Sequence, residues 1–161
     1  MTRGDAMTAA AEELAIRRSL TVEAAIERAF DVFTRGVASW WPLETHSMRA
    51  SRDGLRPQEL HLELREGGRF YERTEGEEHD WGHVLVYEPP RRIVIEWRVN
   101  PANPATEIDV TFTPQGDGTR VDLVHRGWER FGDPTHATRA GYGGDGGWTQ
   151  VLARYGAALE A

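Results

Sequence analysis

The sequence has no cysteine and no lysine, and each absence excludes a class of chemistry. Without cysteine the chain has no disulfide, no thiolate nucleophile and no thiolate metal site. Without lysine it has no Walker-type phosphate loop, because that motif requires a lysine. All 19 basic residues are therefore arginine. Thiol redox chemistry and P-loop ATP hydrolysis are both excluded.

Long apolar runs and an excess of positive charge are also missing. No apolar stretch approaches the roughly 20 residues that span a bilayer, and residues 1–15 lack the apolar core of a signal peptide. The formal net charge is −7. Nucleic acids and anionic membrane surfaces both require a basic face. We therefore expect a cytoplasmic protein with no nucleic-acid partner and no membrane partner.

The length suits one domain with a sizeable core. A chain of 161 residues is short for two independent domains. Residues 1–12 are small and acidic, which predicts a disordered lead-in. Residues 13–161 are predicted to form the single folded domain.

Hydrophobic periodicity predicts the elements of the first third of the chain. Alternation between Leu14 and Val22 indicates a strand. Apolar residues then repeat at i, i+3, i+4 and i+7 from Ile26 to Phe33, which predicts a helix, and residues 37–41 add a short helical turn. Residues 43–57 are predicted to be a loop, because Ser, Asp, Gly and Pro are frequent there.

Six further strands and a terminal helix follow. Proline cannot donate to a ladder, so Pro89-Pro90 must lie between two strands. The predicted strands cover residues 60–64, 69–74, 81–87, 93–99, 108–112 and 121–126. A short helical turn is predicted to begin at Asp133-Pro134. Residues 147–160 carry one broad apolar stripe, which predicts a helix that must lie on the sheet.

The order of these elements predicts an α+β fold with an internal space. An antiparallel sheet of this size twists and coils. An amphipathic helix laid across its concave face would close the structure and enclose a cavity. Such a cavity is the default position for a ligand site.

Several short motifs, taken in this order, resemble the SRPBCC superfamily, also called START-like or birch-pollen-allergen-like. Within it, the chain is similar to the activator of heat-shock protein 90 ATPase homologues. The resemblance implies a helix-grip fold, in which two short helices and a long C-terminal helix accompany a strongly bent antiparallel sheet of about six to seven strands around a cavity. The motifs are Phe30-Asp31-Val32-Phe33-Thr34, Trp40-Trp41-Pro42-Leu43, Gly67-Gly68-Arg69-Phe70-Tyr71-Glu72-Arg73, Trp81-Gly82-His83-Val84, Pro89-Pro90-Arg91-Arg92 with Trp97, Thr119-Arg120-Val121, His125-Arg126-Gly127 and Gly147-Trp148.

Large apolar side chains are the candidates for lining that cavity. Flat aromatic faces suit an apolar or ring-shaped ligand. Trp97 and Trp148 are preferred, because each ends an apolar stripe that faces the predicted interior. The alternative for every member is plain packing in the core. The candidate set is Trp41, Phe70, Trp81, Trp97, Val110, Trp128, Trp148 and Tyr155.

Acid–base candidates are His83, His125, Tyr71 and Glu72. Imidazole titrates near neutrality and needs only one partner to act as a general acid or base. The alternative is that these histidines are structural or face solvent. No His-x-x-x-His or His-Glu-x-x-His spacing occurs, so neither a metal nor any other cofactor is expected.

Arginines on the predicted strands have two possible roles. A guanidinium group can pair bidentately with a ligand carboxylate at the cavity mouth. The alternative is cross-strand ion pairing on the outer face of the sheet. The arginines concerned are Arg69, Arg73, Arg98, Arg120 and Arg126.

Three functions remain open from the sequence. The first is a binding protein that needs no cofactor and holds a small apolar or aromatic ligand, as a monomer or homodimer. The second is an enzyme similar to the polyketide cyclases and aromatases of the superfamily, which would use the acid–base candidates. The third is a chaperone or other protein-interaction module that presents Trp40-Trp41 as an exposed patch.

Overall fold

The computed structural model describes residues 14–133 and 135–160. One antiparallel sheet of seven strands forms its centre, in the order β1-β7-β6-β5-β4-β3-β2. Every strand from β2 to β7 pairs with its neighbour in the chain, and β1 closes the set by pairing with β7. The strands are β1 (Ile16–Val22), β2 (Glu59–Leu62), β3 (Arg69–Thr74), β4 (Glu77–Glu88), β5 (Arg92–Trp97), β6 (Thr106–Gln115) and β7 (Gly118–Arg126).

Helices lie between β1 and β2 and after β7. The first group is α1 (Ile26–Thr34), α2 (Val37–Trp40) and α3 (Met48–Asp53). The second group is α4 (Ala137–Gly143) and α5 (Gln150–Glu160), with a 3-10 turn at Trp128–Phe131 and a π-helical turn at Asp145–Thr149. None of the helices in the described part of the chain is long and apolar enough to cross a membrane.

The predicted strands and their faces are confirmed. On β7, Val121, Leu123 and His125 are buried, whereas Asp122 and Val124 are only partly buried. Burial therefore alternates along the strand, as side chains on opposite faces of a sheet require. The double proline lies between the end of β4 and the start of β5, also as predicted.

Two predictions about the connections were wrong. The predicted loop at 43–57 contains α3, which begins because Ser47 Oγ accepts a hydrogen bond from the Ala50 backbone N–H. It ends at Gly54, which adopts a left-handed conformation. The helical turn predicted at Asp133-Pro134 begins later instead, with His136 as the N-cap of α4. Pro134 and the predicted lead-in at residues 1–12 lie outside the described residues.

The terminal helix packs on the interior through one face. Tyr155 is fully buried and contacts the rings of Phe33 and Trp40 at centroid distances of 5.0 and 5.3 Å. Its hydroxyl donates to the Ala29 carbonyl of α1 over 2.7 Å. Because the apolar stripe of α5 contacts α1 and α2, the helix closes the structure as the helix-grip fold requires.

Candidate functional site

Aromatic rings fill the space between the sheet and the C-terminal helix. Trp41 lies at the centre of this cluster, with ring centroids 5.4 Å from Trp81, 5.7 Å from Trp97 and 5.9 Å from Trp148. The void left among these side chains is about 20 Å³, which is room for about one water molecule. The sequence predicted a cavity beneath the C-terminal helix. Large aromatic rings occupy that position instead.

The open space lies instead at one end of the sheet. We call it the end cavity, and its volume is about 570 Å³. Its walls come from residues 45–52, from the segment that follows β5, and from α4 with the π-helical turn. The apolar part of its lining includes Trp97, Trp128, Phe131 and Tyr142.

A close backbone contact holds the π-helical turn against α4. A Cβ atom at Gly147 would lie 2.2 Å from the Tyr142 carbonyl oxygen. Real Cβ atoms do not approach an oxygen so closely, so only glycine allows this packing. The glycine-rich stretch thereby shapes one wall of the end cavity.

The imidazole of His46 joins two of these walls. Its Nε2 lies 2.6 Å from the Gly146 carbonyl oxygen, and its Nδ1 lies 2.6 Å from Thr45 Oγ1. A carbonyl only accepts, so Nε2 carries a proton, and in the neutral ring Nδ1 accepts from the Thr45 hydroxyl. Trp41 Nε1 donates to the His46 carbonyl over 2.7 Å. The aromatic interior therefore holds His46 at the wall of the end cavity.

Tyr142 presents a hydroxyl group at the same cavity. Trp97 Nε1 donates to this hydroxyl oxygen over 2.8 Å. Burial raises the pKa of Tyr142, although the Trp97 hydrogen bond opposes the rise. The hydroxyl is therefore protonated at neutral pH.

His125, an acid–base candidate, lies in an enclosed hydrogen-bond network. Trp148 Nε1 donates to His125 Nδ1 over 3.0 Å, so Nε2 carries the proton and lies 2.7 Å from Thr106 Oγ1. Burial lowers the pKa of His125 to about 3. The ring is therefore neutral at physiological pH, and both of its nitrogens already have partners.

Glu72 holds α3 in place. Its carboxylate accepts hydrogen bonds from the Met48 and Arg49 backbone N–H groups over 2.6 and 3.1 Å, and from Trp81 Nε1 over 2.7 Å. An acidic group at the start of a helix satisfies N–H groups that have no partner within the helix. Met48 belongs to the wall of the end cavity, so Glu72 positions that wall from outside the cavity.

The other two acid–base candidates lie apart from the end cavity. His83 is 46% exposed at its side chain, and its Nδ1 lies 3.0 Å from a carboxylate oxygen of Glu96. The Tyr71 ring stacks on His61, and the Arg69 guanidinium lies 4.0 Å from its centroid. The four candidates therefore do not share one cavity, although a role in catalysis stays a prediction for each.

The predicted cavity residues fall into three groups. Trp97 and Trp128 line the end cavity. Trp41, Phe70 and Trp148 line only the small interior void. The remaining three are buried and line neither space: Trp81, Val110 and Tyr155.

The outer arginines mostly form ion pairs. Arg69 contacts Asp80 over 2.6 Å, and Arg126 contacts Asp109 over 2.7 Å. Arg92 also contacts Asp109, over 2.9 Å. Burial alone would raise the pKa of Asp109, but hydrogen bonds from the two guanidinium groups outweigh it and lower that pKa.

Two more of the predicted arginines pair in the same way, Arg73 with Glu59 and Arg120 with Asp122. The exposed patch predicted at Trp40-Trp41 is absent, because both residues are buried. Sequence reasoning missed His46, because this residue lies in a predicted loop and its partner Gly146 is 100 positions away. The short helix-capping motif at Ser47 was the available signal for that segment.

Comparison with known proteins gives a family and a set of similar structures. Residues 23–160 match the family model described as Activator of Hsp90 ATPase homolog 1-like protein. No curated protein matches. The solved anthrahydroquino-γ-pyrone synthase Txn09, determined in a complex, is 34% identical with a TM-score of 0.58, over 89% of this chain and 95% of that chain.

Two further solved structures share the fold. CalC from Micromonospora echinospora, titled a self-sacrificing resistance protein, is 32% identical with a TM-score of 0.64, over 91% of this chain and 94% of that chain. The Aha1 dimer from Colwellia psychrerythraea is 19% identical with a TM-score of 0.66, over 91% of this chain and 96% of that chain. The second likeness is one of fold alone.

Proposed function

Because the chain belongs to the Activator of Hsp90 ATPase homolog 1-like family, we propose that it uses this scaffold to bind a small planar aromatic molecule in the end cavity. The observation that carries the proposal is the cavity itself. Its volume of about 570 Å³ falls within the roughly 300–1,000 Å³ of small-molecule sites. The space beneath the C-terminal helix is only about 20 Å³, so the proposal places the ligand in the end cavity.

The wall composition favours flat rings. Phe131 and Tyr142 are partly exposed at the cavity, and the buried Trp97 and Trp128 complete its aromatic lining; aromatic surfaces pack well on planar ligands. Burying about 300 Å² of apolar ligand surface would contribute roughly 7 kcal/mol before the costs of binding are subtracted. The dissociation constant expected for a simple aromatic probe is therefore about 10 μM or weaker.

One relative supports the same ligand class. The structure at 34% identity is named as a synthase of an anthrahydroquino-γ-pyrone, and such a name denotes fused aromatic rings. The end cavity of the present chain has the size and the aromatic walls to hold a molecule of that kind.

The test is a binding titration with a cavity-filling variant. A neutral anthraquinone carboxamide is added to the purified protein, and tryptophan fluorescence reports binding because Trp97 and Trp128 line the cavity. Ala137 of α4 also lines it, so Ala137→Trp should weaken binding at least about tenfold. The matched control is Ala157→Trp, at an exposed position of α5. Equal affinity in the two variants, or no binding by the unmodified protein, contradicts the proposal.

A cyclase-like enzyme is the second candidate function, and the placement of His46 favours it. An imidazole at the cavity wall, whose Nδ1 accepts from the Thr45 hydroxyl, can act as a general base through that hydroxyl, since Thr45 also lines the cavity. Anthrone is a suitable planar probe, because its C10 protons are acidic. Transfer of one C10 proton to Thr45 Oγ1, as the hydroxyl hydrogen passes to His46 Nδ1, would give the anthrolate, and delivery of a deuteron from the D₂O solvent to C10 would complete the exchange. Deuterium exchange at C10 that the protein accelerates and His46→Gln abolishes supports catalysis; no acceleration excludes this reaction.

A further inference from the structure

The lining of the end cavity differs in charge from the rest of the chain. The sequence contains 26 acidic residues and has a net charge of −7. None of the described residues that line the end cavity is Asp or Glu, and its ionised side chains are Arg52 and Arg98. A ligand in the cavity therefore meets a positive local charge within an acidic protein.

The two arginines differ in how far their charge is already neutralised. Arg52 contacts Asp53 over 3.0 Å and Glu77 over 3.7 Å. Arg98 is exposed, and among the described residues its guanidinium group has no ion pair and no hydrogen bond. Its backbone N–H donates to the Trp81 carbonyl over 2.6 Å, which holds the residue at the end of β5. Arg98 therefore contributes an arginine with an unneutralised charge to the lining of the end cavity, next to Trp97 in the chain.

We propose that the aromatic ligand of the end cavity carries a carboxylate and that Arg98 binds this group. The inference rests on the proposed function, because it names the chemical class of the molecule in the same cavity. The rings contact Trp97 and Trp128, and the carboxylate reaches the guanidinium group, whose paired N–H donors match its two oxygens. Arg98 is the one member of the predicted arginine set that lines this cavity.

The experiment compares two probes of nearly the same shape, one charged and one neutral. Anthraquinone-2-carboxylate and anthraquinone-2-carboxamide are titrated at pH 7.5, with tryptophan fluorescence as the readout. We expect the unmodified protein to bind the carboxylate about three- to five-fold more tightly, the size typical of a partly exposed ion pair. Arg98→Ala should remove this preference, so that the variant binds the two probes with equal affinity. Arg98→Glu should reverse it.

The matched control is Arg91→Ala. Arg91 is exposed and lies just before β5, whereas Arg98 lies just after it, and the Arg91 side chain likewise has no ion pair among the described residues. The two positions are seven residues apart along one strand, or about 23 Å, which exceeds the Debye length of about 8 Å in physiological salt. Arg91→Ala should therefore keep the preference.

Equal affinity of the unmodified protein for the two probes would overturn the proposed acid preference and leave the proposed function intact. If Arg91→Ala and Arg98→Ala reduced the preference for the carboxylate equally, the proposed acid preference would also be overturned. The net charge of the protein, rather than contact with Arg98, would then explain the preference. Failure of both probes to bind would overturn the proposed function, and the acid preference with it.

Discussion

The enclosed histidine makes the stability of this protein depend on pH. His125 is fully buried against the rings of Trp128, Tyr142 and Trp148. Burial lowers its pKa from 6.5 to about 3 in the folded state, whereas the unfolded chain returns the imidazole to about 6.5. Between these values the unfolded state takes up a proton that the folded state does not.

The sign and the size of the change in unfolding free energy with pH follow from this difference in proton uptake. The contribution of His125 to stability is fully present above the pKa of the unfolded state. It is lost progressively as the pH falls toward the pKa of the folded state. Lowering the pH from 7.5 to 5.0 should cost about 2 kcal/mol of unfolding free energy from His125 alone. The figure holds for any folded pKa below about 4, because the folded state is then still unprotonated at pH 5.0.

The assay is urea unfolding at both pH values, followed by tryptophan fluorescence, in the unmodified protein and in His125→Gln. Glutamine does not titrate, and its amide can still donate to Thr106 Oγ1. The variant will be less stable at pH 7.5, because Trp148 Nε1 loses the acceptor that it has at 3.0 Å. Between pH 7.5 and pH 5.0 the variant should nevertheless lose about 2 kcal/mol less unfolding free energy than the unmodified protein does.

The control is His83→Gln, which changes an exposed histidine paired with Glu96 and should retain the His125 contribution. The reasoning is refuted if His125→Gln and the unmodified protein lose the same free energy between the two pH values. A histidine NMR titration gives a second test that does not require the variant to fold. A midpoint near 6.5 for His125 in the native protein would contradict the burial argument.

Three further predictions concern the scaffold of the site. Glu72→Gln should lower stability by about 1.5–3 kcal/mol and increase amide exchange in α3, because the helix loses a charged acceptor; unchanged exchange would contradict its role there. Gly147→Ala should disturb the wall at the π-helical turn and weaken probe binding, whereas Gly156→Ala, which lies outside the cavity lining and whose Cβ would make only an ordinary contact with Leu20 at 3.6 Å, should not. Asp109→Asn should reduce the stability loss between pH 5 and pH 2, since the lowered pKa of this carboxyl confers stability that disappears on acidification; equal acid unfolding in both proteins would contradict it.

Strands and their inward faces could be predicted because burial on a sheet has a period of two. The alternation through Val121, Leu123 and His125 on β7 is the clearest example. Pro89-Pro90 marked a strand boundary for an equally local reason, because proline cannot donate to the ladder. Helix α3 escaped the same reasoning because it has no buried residue and thus no apolar repeat.

The position of the open space could not be read from alternation. Alternation identifies which side chains point inward, but not whether their volumes fill the interior. Trp41 is the residue that fills the interior. It follows α2 rather than lying on a strand, and its ring reaches the centre of the cluster, within 6 Å of the Trp148 ring. His46 was missed for a related reason, because contacts between distant segments determine its place.

Connections and short helices, rather than the sheet, form most of the end cavity. Its lining lies in α3, in the connection between β5 and β6 and in α4, with Trp97 and Thr106 at strand ends. Substitution, lengthening or exchange of these connections would retune selectivity while the tryptophan cluster keeps the molecule folded. The same stable fold could in this way bind chemically different ligands.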